Sequence, residues 1–152
     1  MFAHINNPPC FQRPSGFLYR SIYQEDLIRN TLTLVELNTI PAEYTDGIEN
    51  IVTHRIIPGI NGFYNISGQV TFFGCGPDSQ CSVRILRNAV EIHRNTLQIG
   101  AGIQIAPQCN LPCQYLLSTD FLELWAVVYG TLDTVDIMDG IAHTFLTVQR
   151  VR

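Results

Sequence analysis

The sequence predicts an all-β domain of the antiparallel sandwich or barrel class, and three observations carry that prediction. Beyond residue 31, apolar and β-branched residues alternate with period two or gather in short runs. Turn residues punctuate those runs at regular intervals, and no helical period is sustained anywhere in that stretch. The chain has 152 residues, enough for one domain with a sizeable core and too few for two.

The elements follow in order. Residues 31–37 are β-branched and alternating. A turn-like segment at 44–50 leads into a strand at 51–57. The run Pro58, Gly59, Ile60, Asn61, Gly62 opens a long strand at 63–73, which stops at Gly74. Further strands are expected at 82–86, 89–93, a glycine-broken 99–106, 115–117, 121–130 and 141–151. There are no internal repeats and no low-complexity tracts.

Two strands are informative by their faces. In 63–73, Tyr64, Ile66, Val70 and Phe72 share one face with Gly68 between them. Asn65, Ser67, Gln69 and Thr71 share the other, with Phe63 and Phe73 at its ends. That is the pattern of a half-buried antiparallel strand. In 121–129 both faces are apolar: Phe121, Trp125, Val127 and Tyr129 on one, Leu122, Leu124, Ala126 and Val128 on the other. Only Glu123 interrupts. Such a strand needs a second covering, and a neighbouring subunit or the N-terminal segment could supply it.

Residues 1–30 differ from the rest. Pro8, Pro9 and Pro14 prevent a long helix or a central strand. Phe2, Phe11, Phe17, Tyr19 and Tyr23 are scattered through polar stretches, and exposed aromatics of this kind call for a surface to dock on. The segment reads as an extended docking arm with a short helical turn at 24–29, followed by the sandwich domain at 31–152. Packing of the arm on its own domain is the plainer alternative.

Composition adds a hint about partners. Charged residues make up 14% of the chain, against roughly 25% in ordinary soluble domains. All nine basic residues are Arg; there is no Lys. Arg suits partly buried pairing better than Lys, because its guanidinium is less strongly hydrated and presents a fixed fork. A surface this poor in charge is expected to be covered by partners. A net charge of −4 without a basic cluster excludes nucleic acid as the expected partner. No apolar run approaches the ~20 residues of a membrane span, and no signal peptide is visible at the start.

The candidate chemistry is sparse. Cys75 and Cys81 bracket five residues and Cys109 and Cys113 bracket three, both pairs in expected loops. Two local disulfides, a cross-pairing of the loops, four free thiols and a four-thiolate zinc site all fit these spacings. Disulfides are the leading candidate, each worth roughly 2–3 kcal/mol; the spacings are looser than those of common zinc ribbons. Cys10 is left over. Asp133, Asp136 and Asp139 before Gly140 do not have the spacing of a calcium loop, and a solvated acidic loop is the expectation. His4, His54, His93 and His143 are scattered, with no nucleophile elbow and no paired metal spacing. Asn65, Ile66 and Ser67 form a sequon, but in the middle of an expected strand. No catalytic residues, metal ligands or cofactor are expected.

Taken together, several segments resemble one family. Pro58–Ile66 resembles its "P..G.Y.F" lead-in to a central strand, and Ser82–Asn88 its strand and turn before an Asn-Gly. Ser118–Leu124 is similar to its "L..GD.V.L" signature, and Thr144–Val148 to its closing strand. The family is the jelly roll of complement globular heads and tumour-necrosis-factor-like proteins, particularly its bacteriophage versions. Asn88 is followed by Ala89, and Asp120 is preceded by Thr119, where the family carries glycine. The resemblance spans about residues 31–152 and implies a ten-strand jelly roll that forms a tight homotrimer. In that family the inner sheet buries its second face at the three-fold axis, which would make Phe121, Trp125, Val127 and Tyr129 the trimer interface.

The functional expectation is a non-enzymatic virion protein: a trimeric capsid decoration (cement) protein that clamps neighbouring capsid subunits with its arms. About 30 residues before the domain are too few for a stalk and enough for an arm. Its partners are expected to be itself and a major capsid or other virion protein. The alternative is a receptor- or glycan-binding knob of a phage tail or fibre, with the two cysteine loops as its binding surface.

Overall fold

A computed structural model describes residues 15–44, 46–99, 104–130 and 134–151. Every regular element among them is a strand. In chain order these are β1 (Ser15–Tyr19), β2 (Gln24–Ile28), β3 (Thr33–Leu34), β4 (Glu49–Asn50), β5 (Arg55–Ile56), β6 (Gly62–Gln69) and β7 (Phe72–Phe73). They continue with β8 (Gln80–Arg87), β9 (Val90–Gln98), β10 (Gln104–Ile105), β11 (Gln108–Leu116), β12 (Leu122–Tyr129), β13 (Thr134–Ile137) and β14 (Phe145–Arg150).

One layer is the sheet β4-β5-β12-β8-β9, with β3 also paired to β12. The other layer is built in two parts, β1-β14-β6-β11 and β2-β13-β7-β10. The two parts have the same strand order because each strand of one runs on into the next: β1 into β2, β6 into β7, β10 into β11 and β13 into β14. All described pairings are antiparallel. The core lies between the layers, with Leu18, Tyr64, Ile66, Phe72, Ile85, Leu116, Leu122, Leu124 and Leu146 almost wholly shielded from solvent.

Alternation places these residues correctly. Along β6 and β7, Tyr64, Ile66, Gly68, Val70 and Phe72 are all buried, while Phe63 and Asn65 are exposed. The long strand expected at 63–73 is interrupted at Val70–Thr71. Its neighbour explains the break. Pro107 faces this point and has no N–H to give, so only the Val70 N–H to Pro107 carbonyl bond forms, at 3.4 Å. Thr71 bridges the gap instead, donating its hydroxyl to the His143 carbonyl at 2.7 Å while its own carbonyl accepts from Met138 N–H at 2.8 Å.

Two expectations about residues 1–30 are corrected. Residues 15–30 are part of the sandwich: β1 pairs with β14 over five residues, β2 pairs with β13, and Leu18 and Leu27 are buried in the core. The segment 24–29, expected as a helical turn, is β2. The physical reason is that Phe17, Leu18, Tyr19 and Leu27 find an open edge of the layer. Three prolines end at Pro14, so nothing after them obstructs pairing. Phe2, Phe11, Cys10 and His4 lie outside the described residues.

The turn between β8 and β9 settles what Ala89 does. Asn88 and Ala89 take φ of +52° and +65°, the paired left-handed geometry of a two-residue hairpin turn. Ala89 therefore holds a conformation that favours glycine. Thr119 has no positive φ, so the turn before Asp120 needs no glycine.

Candidate functional site

The sheet β1-β14-β6-β11 turns one face to the core and leaves the other open. Its outward residues form cross-strand rows: Phe17, Thr147, Ser67 and Asn110 in one, Tyr19, Phe145, Gln69 and Gln108 in the next. Aromatic rings gather at two ends of this face. At the β1 edge the Phe17 ring meets Tyr44 at 5.3 Å and Phe145 at 5.8 Å, both edge-on, with Tyr19 at 6.4 Å. On the β11 side, Phe63 and Tyr115 are cross-strand partners with ring centroids 5.2 Å apart, and they remain 39% and 48% exposed.

Between the aromatic ends the face is polar. Ser67 donates to Asn110 Oδ1 at 2.8 Å and accepts from Gln108 Nε2 at 3.3 Å. A groove of about 380 Å³ crosses here, lined by Asn65, Ser67, Asn110, Pro112, Thr147 and Gln149. A bulge in β11 shapes it. Leu111 pairs with Ile66 but Gln114 with Tyr64, so Pro112 and Cys113 together oppose Asn65. Pro112 cannot donate a ladder bond, and Cys113 (φ +55°) gives its N–H to Asn65 Oδ1 at 3.0 Å. The half-buried Phe17, Tyr19 and Phe145 and the exposed Phe63 and Tyr115 give this face the aromatic enrichment of a protein–protein contact.

The strand that demanded a second covering finds part of it within the chain. The odd residues of β12 face outward, as expected, but neighbouring strands lay arginines across them. Arg55 of β5 sits 4.1 Å over the Phe121 ring and donates Nε–H to Glu123 at 2.7 Å; Trp125 Nε1–H donates to the same carboxylate at 3.0 Å. Arg84 of β8 reaches the Tyr129 hydroxyl at 2.9 Å and pairs with Glu91 at 2.9 Å. Val127 is only 1% exposed in the single chain. Arg55, Arg84 and Glu123 thus give Phe121, Tyr129 and Trp125 partners within the chain, while Tyr129 remains 38% exposed and Phe121 and Trp125 stay half-buried. The pattern of one strand cannot show what its neighbours place over it.

The cysteines divide differently from the expected pairs. Cys75 and Cys81 are both buried, and their sulfurs stand 3.3 Å apart as thiols. Cys109 and Cys113 lie in β11 and bracket no loop. Four strand residues separate Cα atoms by roughly 13 Å, twice what a disulfide spans. The bulge also reverses the alternation between them, so Cys109 faces the core and Cys113 faces solvent. Burial pushes the Cys109 thiol up to about 11.

The remaining polar candidates have local partners. Asp136 lies in β13 and accepts the Asp26 N–H at 3.1 Å; Asp133 is outside the described residues. His54 Nδ1 meets the Leu37 carbonyl at 2.8 Å. Among the described residues no group of three His, Cys, Asp or Glu side chains is placed to hold a metal ion.

No protein-family model matches the sequence, and no curated protein is similar to it in sequence. The structure is more telling. Eiger TNF from S. frugiperda superposes with a TM-score of 0.69 over 92% of this chain and 93% of that one, at 6% identity. The fold is a tumour-necrosis-factor-like jelly roll. Murine APRIL at pH 5.0 matches with a TM-score of 0.68 over 92% of this chain and all of that one, at 13% identity.

Sequence reasoning placed Phe17 and Tyr19 on a docking element, and the structure puts both on the outward sheet face. Tyr23 is 44% exposed just before β2 and joins neither aromatic group. The Phe63–Tyr115 pair was missed as a site. Its signal was present in Phe63 at the end of an otherwise polar strand face, but its partner emerges only with the β6–β11 register.

Proposed function

We propose that this chain is a non-enzymatic assembly protein that forms a homotrimer through the outward face of β1-β14-β6-β11. The observation that carries the reading is the pair of aromatic groups on the sheet face turned away from the core, Phe17/Tyr19/Phe145 with Tyr44 packed against Phe17, and the exposed Phe63/Tyr115. Burying each ring there contributes ~25 cal/mol per Å² of apolar surface removed from water. The polar rows between them fix register through hydrogen bonds that are already organised in the single chain.

Within that reading, the role is a capsid decoration (cement) protein of a bacteriophage virion, in which a trimer binds neighbouring capsid subunits and stabilises the shell. Support comes from the fold, from the resemblance of its strand and turn segments to phage versions of it, and from a chain with only 14% charged residues. Copy number in purified particles is the test. Hundreds of copies per particle agree with decoration; a few copies place the protein in the tail and favour a receptor- or glycan-binding knob instead.

A further inference from the structure

Cys75 follows β7 and Cys81 lies at the start of β8, and the connection between them is held from both sides. Cys81 pairs in the sheet with Val128 and Leu97. The intervening turn is fixed by Ser79 N–H to the Gly76 carbonyl (3.3 Å), Asp78 N–H to the Ile99 carbonyl (3.1 Å) and Ile99 N–H to the Ser79 carbonyl (2.9 Å). Gly74 and Asp78 take φ of +80° and +64°, which folds the chain back so that the two sulfurs meet. Cys75 is 3% exposed and Cys81 fully buried. The sulfurs, at 3.3 Å, need a little over 1 Å of approach to reach the ~2.05 Å of a bond.

We propose that Cys75 and Cys81 are an oxidation site, at which hydrogen peroxide converts the two thiols into an intrachain disulfide that closes the β7–β8 connection. The step balances. The Cys75 thiolate attacks one peroxide oxygen, the O–O bond breaks, and the departing hydroxide takes up the thiol proton as water. Cys75 is then a sulfenic acid. The Cys81 sulfur attacks the Cys75 sulfur, the S–O bond breaks, and the leaving hydroxide carries off the Cys81 proton as a second water. Two thiols and one peroxide give one disulfide and two waters.

The assignment of roles agrees with the surroundings. Cys75 is the sulfur nearer solvent, 3% exposed against 0% for Cys81, and with the Cys81 S–H turned toward it the contact favours the thiolate at Cys75. Cys109 has a different partner, donating its S–H to the Val83 carbonyl at 3.6 Å. The inference is independent of the assembly reading.

The test uses the distribution of cleavage sites. Trypsin releases residues 56–84, which hold Cys75 and Cys81 and no other cysteine, and cleavage before Asp78 then separates the two. The intact protein is treated with hydrogen peroxide, unfolded, alkylated and digested with both proteases. The expected product is residues 56–77 joined to 78–84 by a bond that a thiol reductant breaks. Cys81→Ser is expected to stop at the Cys75 sulfenic acid, captured with dimedone on unfolding. The oxidised wild type is expected to melt roughly 5–10 °C above the reduced protein, from closing so short a loop. Separate peptides with Cys75 and Cys81 alkylated or singly oxidised, or Cys81 joined to Cys109, would overturn the proposal.

Discussion

Asn88 Nδ2 donates to Asp120 Oδ1 at 2.7 Å, and this one bond ties the β8–β9 turn to the turn that precedes β12. Asn88 closes the link by accepting Phe121 N–H at 3.0 Å. The other Asp120 oxygen accepts Leu117 N–H at 2.7 Å and pairs with Arg87 at 2.6 Å. A carboxylate only 2% exposed thus organises three segments at one end of the sandwich.

Burial alone would raise the Asp120 pKa. The bonds from Leu117 N–H, Asn88 and Arg87 outweigh it and hold the carboxyl below its ordinary value. A depressed folded-state pKa gives stability that is present above the unfolded value, near 3.8, and lost as pH falls through the folded one. Asp120→Asn should cost about 1–3 kcal/mol at neutral pH, from lost charge-assisted bonds. Urea unfolding from pH 6 down to pH 2 should show the gap to wild type closing only below about pH 3.8. A gap that stays constant contradicts the role assigned to the charge.

Ala89 at φ +65° carries strain that glycine would not. Ala89→Gly relieves about 1–2 kcal/mol of left-handed strain and forfeits about 0.4–1 kcal/mol through a freer unfolded chain. The net expectation is a gain of about 0.5–1 kcal/mol, read as a higher urea midpoint with an unchanged slope. A loss of stability means that the Asn88–Ala89 turn is not the two-residue left-handed form.

Arg55, Phe121, Glu123 and Trp125 form one unit on the outer face of β12. Glu123 has a side chain only 4% exposed, so Arg55→Ala strands a buried carboxylate on the single Trp125 bond. The expected cost is about 1–3 kcal/mol, with Arg55 itself 36% exposed and part of its charge screened. Adding Glu123→Gln removes the stranded charge, so the double variant should be less destabilised than the two single effects added together. Strict additivity in equilibrium unfolding would show that the two side chains do not interact.

The sandwich was legible because its signal is local. Alternation in β6, with Tyr64 and Ile66 against Asn65 and Ser67, and the turn residues around it specify a half-buried strand without knowledge of its neighbours. What was not legible depends on register. Arg55 over Phe121 and Arg84 against Tyr129 come from other strands, so the polar partners of an apolar strand could not be read from the strand itself. The bulge at Pro112 reverses the faces of Cys109 and Cys113, and no period-two count across it could have shown that. The segment 15–28 was read as an arm because Pro8, Pro9 and Pro14 dominated its composition, whereas pairing begins only after the last of them.

The most direct test of the account is the mass of the intact protein in solution at micromolar concentration, by size exclusion with light scattering. The outward face of β1-β14-β6-β11 predicts a particle of three 17.1 kDa chains. It also predicts that Phe63→Asp with Tyr115→Asp returns a single-chain mass with the β-sheet spectrum intact. A wild-type protein that runs as a monomer of 17.1 kDa would contradict it.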